Sequence, residues 1–371
     1  VKIIFAIDTL QTGGAEKSTL DIASRLPNDI EPLIVSFYNN LELKNECDKL
    51  GLRNINFAIN NKYDFGKAIN LFKSLCIIEN PNLVVSTLFR ADIITRVACH
   101  QLGIKNIGTF VNDTYSSHEL EDLSFSMKLK VGLFWILNRW TARYCYRFLA
   151  NSESIKISNS QRLLIDNSKI DVIYRGRKVS NFNFKIANRF TNEETHFLNV
   201  GRLLKRKGQA ELIEAFANFN KIYPNTKLSI AGEGKYRAHL EALIKRLNIG
   251  HKIKLLGNVK NVPELLAECD VFVFPSYYEG FSGALVEAML GGAPILASDI
   301  PMNKEAINHL DTAYLFKVKD VVSLEEALVF SIANTDKMKE MAQKARMIAE
   351  QKYDIDQIAK QHAAIYRNYI E

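Results

Sequence analysis

VFVFPSYYEGFSGALVEAMLGGAPILAS, residues 271–298, spells a strand, a loop, a helix and a second strand in one stretch. VFVFPS (271–276) is a continuous apolar run of strand length, the pattern of a strand covered on both faces. Turn residues follow, and 282–290 then carries helical spacing up to Gly291-Gly292. APILAS (293–298) reads as the next strand. A strand, a helix and a second strand in that order form a βαβ unit, which pairs its strands in parallel.

The same alternation continues on both sides. Upstream in this half lie the strand runs FLNVG (197–201), KLSIAG (227–232) and KIKLLG (252–257), with helices over 207–222, 235–247 and 261–268. Nearer the start come KIIFAI (2–7), EPLIVSF (31–37), LVVSTL (83–88), NIGTFV (106–111), RFLANS (147–152) and DVIYRG (171–176). Helical stretches at 15–26, 41–50, 65–79, 90–102 and 127–146 separate them. The polar segment 178–196 has no period, and the pattern restarts after it. Two doubly wound α/β domains are therefore expected, 1–178 and 179–354. The last stretch, 355–371, is an amphipathic helix predicted to pack back on the first domain. In such sheets ligands bind at the carboxyl ends of the strands.

Composition narrows the class. The chain of 371 residues has room for two ordinary domains. Its cysteines, at 47, 76, 99, 145 and 269, are odd in number and form no C-x-x-C pair. They suit a reducing compartment and offer no zinc or disulfide framework. The opening apolar run is too short for a signal peptide, and Val1 implies a lost or trimmed initiator Met. Apolar runs such as 131–138 and 271–278 fall far below the roughly 20 residues that span a bilayer. The expected location is the cytoplasm, with the inner face of the membrane as a further setting. Nucleic acid is not expected as a partner, because the net charge of +7 is modest and no binding module is present.

Two glycine loops invite comparison with phosphate sites. In DTLQTGGAEKSTL (8–20) Gly13 and Gly14 open a helix, but a Rossmann fingerprint needs G-x-G-x-x-G and a Walker A loop needs Gly directly before Lys-Ser/Thr. Neither pattern fits. In the second half, GRLLKRKG (201–208) places Arg202 and Lys207 around a loop that enters a helix, a combination suited to a diphosphate. AGEG (231–234) flanks Glu233 with Gly232 and Gly234, which permits close backbone approach. Seven residues separate Glu279 from Glu287, one in the loop and one about a turn into the helix. Between them a helix N-terminus offers N–H groups to an anion. A helix cap and a surface carboxylate are the plainer alternatives.

In this order, GR-x4-KG, AGEG, LLGNVKNVPELLAECDVFVFPS and E-x7-E resemble the retaining family 4 glycosyltransferases of the GT-B fold. The resemblance implies two Rossmann-like domains facing a central cleft, with a nucleoside-diphosphate sugar, favoured as a UDP-sugar, as donor. It implies that Arg202 and Lys207 hold the diphosphate, Glu279 the donor sugar and Glu287 the ribose. Backbone at Ser282, Gly283, Ala284 and Leu285 would complete the phosphate site, with Gly232 and Glu233 lining it and Val259 beside the base. Gly13 and Gly14 would reach the donor from the first domain. No Asp-x-Asp stands out at a strand end, so no metal is expected.

The chain departs from its relatives at the end of the fourth strand of the first-domain series. Many of them carry His there, whereas FVNDTYSSHEL (110–120) has Asn112-Asp113, with His118 the nearest His. Asn112, Asp113 and His118 are the acceptor-side candidates, and a loop cap and an exposed His read equally well, so no general base is assigned. Arg175-Gly176 also replaces the usual Asn-Gly of the interdomain turn, leaving Arg175 and Arg177 at the cleft or at the linker edge. From 123 to 152 there is no acidic residue, and Lys128, Lys130, Arg139, Arg143 and Arg147 alternate with aromatics. That stretch fits a packed helix or peripheral contact with anionic membrane. The implied reaction moves a sugar to a hydroxyl of a glycan or lipid-linked glycan in surface polysaccharide or glycoconjugate synthesis. A nucleotide-sugar epimerase and a non-catalytic nucleotide-sugar-binding protein are the alternatives.

Overall fold

The computed structural model describes residues 1–113, 115, 124–183, 186 and 189–370. The chain divides into two compact units, Val1–Gly176 with Ile355–Glu371, and Arg177–Asp354.

In the first unit the described residues form a seven-stranded parallel sheet: β1 (Lys2–Ile7), β2 (Glu31–Tyr38), β3 (Arg53–Ile59), β4 (Leu83–Thr87), β5 (Asn106–Phe110), β6 (Arg147–Ala150) and β7 (Ile170–Val172). The strand order is β3-β2-β1-β4-β5-β6-β7. Helices α1 (Gly14–Ala23), α2 (Lys44–Lys49), α3 (Phe65–Glu79), α4 (Phe89–Leu102), α5 (Phe125–Ala142) and α6 (Glu153–Leu163) connect them. Strand β1 is the hub, with Ile4 beside Leu33 on one side and Val84 on the other. Its side chains alternate between faces: Ile3, Phe5 and Ile7 enter one apolar cluster, Ile4 and Ala6 another. Burial on both faces is why a strand of this kind carries no polar alternation.

The second unit has a six-stranded parallel sheet among its described residues: β8 (Thr195–Val200), β9 (Thr226–Ala231), β10 (Ile253–Gly257), β11 (Val271–Phe274), β12 (Ile295–Ser298) and β13 (Tyr314–Phe316). Here the order is β10-β9-β8-β11-β12-β13. The helices are α7 (Gln209–Ile222), α8 (Arg237–Arg246), α9 (Val262–Glu268), α10 (Gly283–Leu290), α11 (Pro301–Lys304), α12 (Val321–Ala333) and α13 (Thr335–Lys352). The chain then returns to the first unit as α14 (Ile355–Ile370), which buries Ile355, Ile358, Ala363 and Tyr366 in that unit's core.

Several elements are not apparent from the sequence pattern. Strand β3, RNINFAI, looks polar because it is an edge strand whose asparagines bond sideways: Asn56 Nδ2 donates to Ser36 Oγ at 2.6 Å and Asn54 Nδ2 to Asp48 Oδ1 at 2.8 Å. Helix α6, strand β13 and helices α12 and α13 also extend the alternation. Strand ends fall short of the apolar runs for local reasons. Strand β11 stops at Phe274 because Pro275 has no N–H to pair, and β6 stops at Ala150 because Ser152 caps α6 by accepting from the Ile155 N–H. A fully buried cation is likewise not evident from the sequence pattern. Arg189 donates to the carbonyls of Leu266 and Gly291 at 2.9 and 2.8 Å, and also to that of Cys269, satisfying acceptors at the ends of α9 and α10.

Gly176 shows a constraint that sequence alone does not state. A Cβ placed on it would lie 2.7 Å from the Ile355 Cα, so only glycine lets β7's exit strand pass the start of α14. Gly176→Ala should therefore lower unfolding stability by about 1–3 kcal/mol, the usual cost of overpacking. Gly66→Ala, where the added methyl meets open space, is the control for chemical denaturation and should be near neutral or better.

Candidate functional site

In the second sheet the strand order reverses between β8 and β11, the position where open α/β sheets leave a crevice. The loops leaving these two strands, 201–208 and 275–282, carry Arg202, Lys207 and Glu279. They are bound to each other: the Tyr277 N–H donates to the Arg206 carbonyl at 2.8 Å, and Asn199 Nδ2 to the Val273 carbonyl at 2.9 Å. Gly208, at φ +67°, makes this approach feasible, because a Cβ there would stand 2.1 Å from the Pro275 carbonyl oxygen. Gln209 Nε2 supports the first loop by donating to the Arg202 carbonyl at 3.2 Å.

This framework brings Lys207 and Glu279 together. The Lys207 ammonium donates to Glu279 Oε1, with both side chains nearly buried, and it sits over the Phe274 ring at 5.8 Å from the centroid. Burial alone pushes the Glu279 carboxyl up. The Lys207 charge and hydrogen bond, helped by the Ser276 hydroxyl and the Arg206 charge, outweigh it, so Glu279 stays below its ordinary value. Arg202, at the start of the same loop as Lys207, is exposed, and its guanidinium makes no hydrogen bond or ion pair among the described residues.

Helix α10 begins at the same switch point. Ser282 is its N-cap, with an extended backbone and no capping side-chain bond, followed by Gly283, Ala284 and Leu285 in the first turn. First-turn N–H groups have no intrahelical acceptor, so they remain donors for a ligand anion. Glu287 lies in the second turn, half-buried, with Oε1 accepting from Arg177 Nε at 2.6 Å. Arg177 thus belongs with the α10 carboxylate, a pairing across 110 positions that spacing does not reveal.

AGEG has a mainly architectural role. Gly232, at φ +143°, donates its N–H to the Gly257 carbonyl at 2.7 Å, and a Cβ on it would lie 1.9 Å from the Gly201 carbonyl oxygen. Its glycine lets the Arg202 loop close on the end of β9. The Glu233 carbonyl accepts from the Leu203 N–H at 2.9 Å, while its exposed carboxylate pairs with Arg237 at 2.5 Å. Val259 is half-buried in the loop after β10.

The remaining candidates belong to the first unit. Gly13 is the N-cap of α1. Its glycine and that of Gly14 have local reasons: added Cβ atoms would meet the buried Glu16 carboxylate at 2.1 Å and the Arg175 guanidinium at 3.3 Å. Asn112, exposed after β5, accepts at its carbonyl from Asn159 Nδ2 at 3.3 Å. Asp113 requires a correction. It is buried, accepts from the Ser158 hydroxyl and pairs with Arg162 at 3.2 Å, so it anchors α6 and does not face an acceptor. His118 lies outside the described residues. Among the described residues no group of three or more His, Cys, Asp or Glu is placed to hold a metal ion, and no helix is long and apolar enough to cross a membrane.

Residues 12–180 match the Glycosyltransferase Family 4 model and residues 181–347 the Glycosyl transferases group 1 model. The chain belongs to the group 1, family 4 glycosyltransferases. Its fold matches that of Anabaena HepE in complex with UDP, at 22% identity and a TM-score of 0.84 over 99% of this chain and 100% of that one. This is the GT-B fold. A capsular polysaccharide biosynthesis glycosyltransferase of Staphylococcus aureus is 25% identical over 82% of this chain and 83% of its own length. A Campylobacter jejuni N-acetylgalactosaminyltransferase, whose name specifies a diphospho-undecaprenol-linked acceptor, is 34% identical over 41% of this chain and 40% of its own length. Two uncharacterised glycosyltransferases of Methanocaldococcus jannaschii are matched over only 25% and 55% of their length.

The Lys207–Glu279 pair predicts an acid-sensitive contribution to stability. A carboxyl held below its ordinary pKa of 4.5 stabilises the fold above that pH, and the contribution is lost as pH falls through the lowered value. Thermal melts of the wild type and Glu279→Gln should therefore differ most at neutral pH and converge as the pH falls through that lowered value.

Proposed function

We propose that this protein is a retaining glycosyltransferase that moves a sugar from a UDP-sugar to a hydroxyl of a glycan or lipid-linked glycan. The observation that carries this reading is the convergence of Lys207, Glu279, Arg202 and the α10 N-terminus on one switch point. The bond from the anomeric carbon to the diphosphate oxygen breaks, and negative charge collects on the departing diphosphate. Lys207, Arg202 and the first-turn N–H groups of Ser282 to Leu285 face that charge already oriented, the arrangement that lowers a barrier most. Glu279 holds Lys207 in place, and accepts from hydroxyls of the donor sugar. Glu287 accepts from the ribose with Arg177 fixing its rotamer, and Val259 borders the base.

With the cations taking the charge, the reaction needs no divalent metal, and chelator should leave the rate unchanged. The acceptor oxygen replaces the diphosphate on the same face of the sugar, and the acceptor proton leaves with the phosphate. The named relatives favour this chemistry: HepE has been crystallised with UDP and with UDP-glucose, and the Campylobacter enzyme's acceptor is lipid-linked. We place the reaction in surface polysaccharide or glycoconjugate synthesis on the cytoplasmic side of a membrane.

Glu279→Ala should lower transfer by about a hundredfold or more, the scale for losing one preorganised electrostatic group. Binding of UDP, followed by calorimetry, should fall far less. Equal losses in both would remove Glu279 from the chemistry. Product NMR should show the anomeric configuration of the donor, and donor incubated without acceptor should yield no epimer.

A further inference from the structure

Helix α5 (Phe125–Ala142) has two apolar faces, and the first unit needs only one of them. The inner face is fixed by specific contacts. Asn138, Thr141 and Ala142 are buried, and Asn138 accepts from the fully buried Arg96 and donates to the Tyr115 hydroxyl at 3.0 Å. Trp135 Nε1 donates to the Arg162 carbonyl at 3.0 Å, and Phe134 meets Phe89 edge-on at 4.9 Å. These contacts determine which residues point away.

The outward residues are Phe125, Leu129, Leu133, Ile136 and Trp140, spaced four, four, three and four apart on one stripe. The first four are 85%, 63%, 58% and 56% exposed. Seven of the 21 large hydrophobic side chains exposed among the described residues lie on this one helix, a patch instead of the ordinary scatter. Cations border the stripe on both sides, Lys130 on one and Lys128, Arg139 and Arg143 on the other. Arg139 lies over the Trp135 ring at 5.4 Å, off the stripe, and Arg143 lies over Trp140 at 4.6 Å, at the stripe's C-terminal end, so Phe125, Leu129, Leu133 and Ile136 stay open.

We infer that the outer face of α5 docks on an anionic lipid surface, with the helix axis in the plane of the membrane and the apolar stripe at the headgroup–acyl boundary. An apolar stripe, flanking cations and a Trp at the rim are the three features of an interfacial helix. Charge decides between occupants. With no carboxylate from 123 to 152, a second copy meeting this face would set cation against cation, whereas an anionic bilayer complements them. The proposal rests on the lipid-linked acceptor reading for its biological setting alone, since docking requires no turnover.

The test is flotation of the whole protein with phosphatidylcholine vesicles and with vesicles containing phosphatidylglycerol. The protein should float with the anionic vesicles, release as salt rises and stay behind with the neutral ones. Leu133→Glu with Ile136→Glu should abolish flotation while leaving the melting temperature and its shift by UDP unchanged, since both side chains are already in solvent. Lys128→Gln and Lys130→Gln should each weaken binding about fivefold. Glu279→Ala should float as the wild type does, so a failed transfer assay leaves docking readable. No flotation with either vesicle, or flotation untouched by the double substitution, would overturn the proposal. So would a dimer in sedimentation velocity that the double substitution dissolves, because the face would then belong to a second copy.

Discussion

A lysine and a glutamate from two different strand ends share one nearly buried position, and the candidate donor site is organised around that pair. Neither charge is tolerable there alone, since an unpaired ion in such surroundings costs several kcal/mol. Their closeness obliges the loops after β8 and β11 to run side by side, which in turn requires glycine at 208, a backbone bond from Tyr277 to Arg206 and the Asn199 bridge to Val273. The parallel sheet supplies the crevice, the loops supply the charges, and α10 starts where its N-terminal donors add to the same field. Arg202, exposed on the same loop as Lys207, adds a second cation at this strand end.

Much of this is legible in the amino-acid sequence. VFVFPS, the following loop and ALVEAML announce strand, turn and helix because each is dominated by one physical demand: burial on both faces, turn chemistry, or helical spacing. The restart after 196 was legible for the same reason. Strand β3 was not, because an edge strand uses asparagine side chains where a central strand uses valine. The same difficulty applied to pairs distant in sequence. Nothing about Arg177 or Glu287 names the other, and Arg189 looks like any surface cation until three carbonyls are found around it.

Glycines illustrate the limit of motif reading. Those of AGEG, and Gly13-Gly14, invite the idea of backbone meeting ligand. At Gly232 the close neighbour is the Gly201 carbonyl, at Gly13 it is Glu16, and at Gly14 it is Arg175. A small residue records that something is near without recording what. Asp113 carries the converse lesson: a carboxylate placed where an acceptor might be met is spent on holding α6 to its loop.

The central claim is that the switch point of the second sheet holds a nucleoside diphosphate with protein cations. The most direct measurement is the melting temperature of the wild-type protein with UDP, GDP and ADP in the presence of chelator. The account predicts that UDP raises stability, by about 2.7 kcal/mol at a hundredfold excess over its dissociation constant, and that Lys207→Met loses most of the shift. No stabilisation by any of the three, or a shift that Lys207→Met leaves intact, would contradict it.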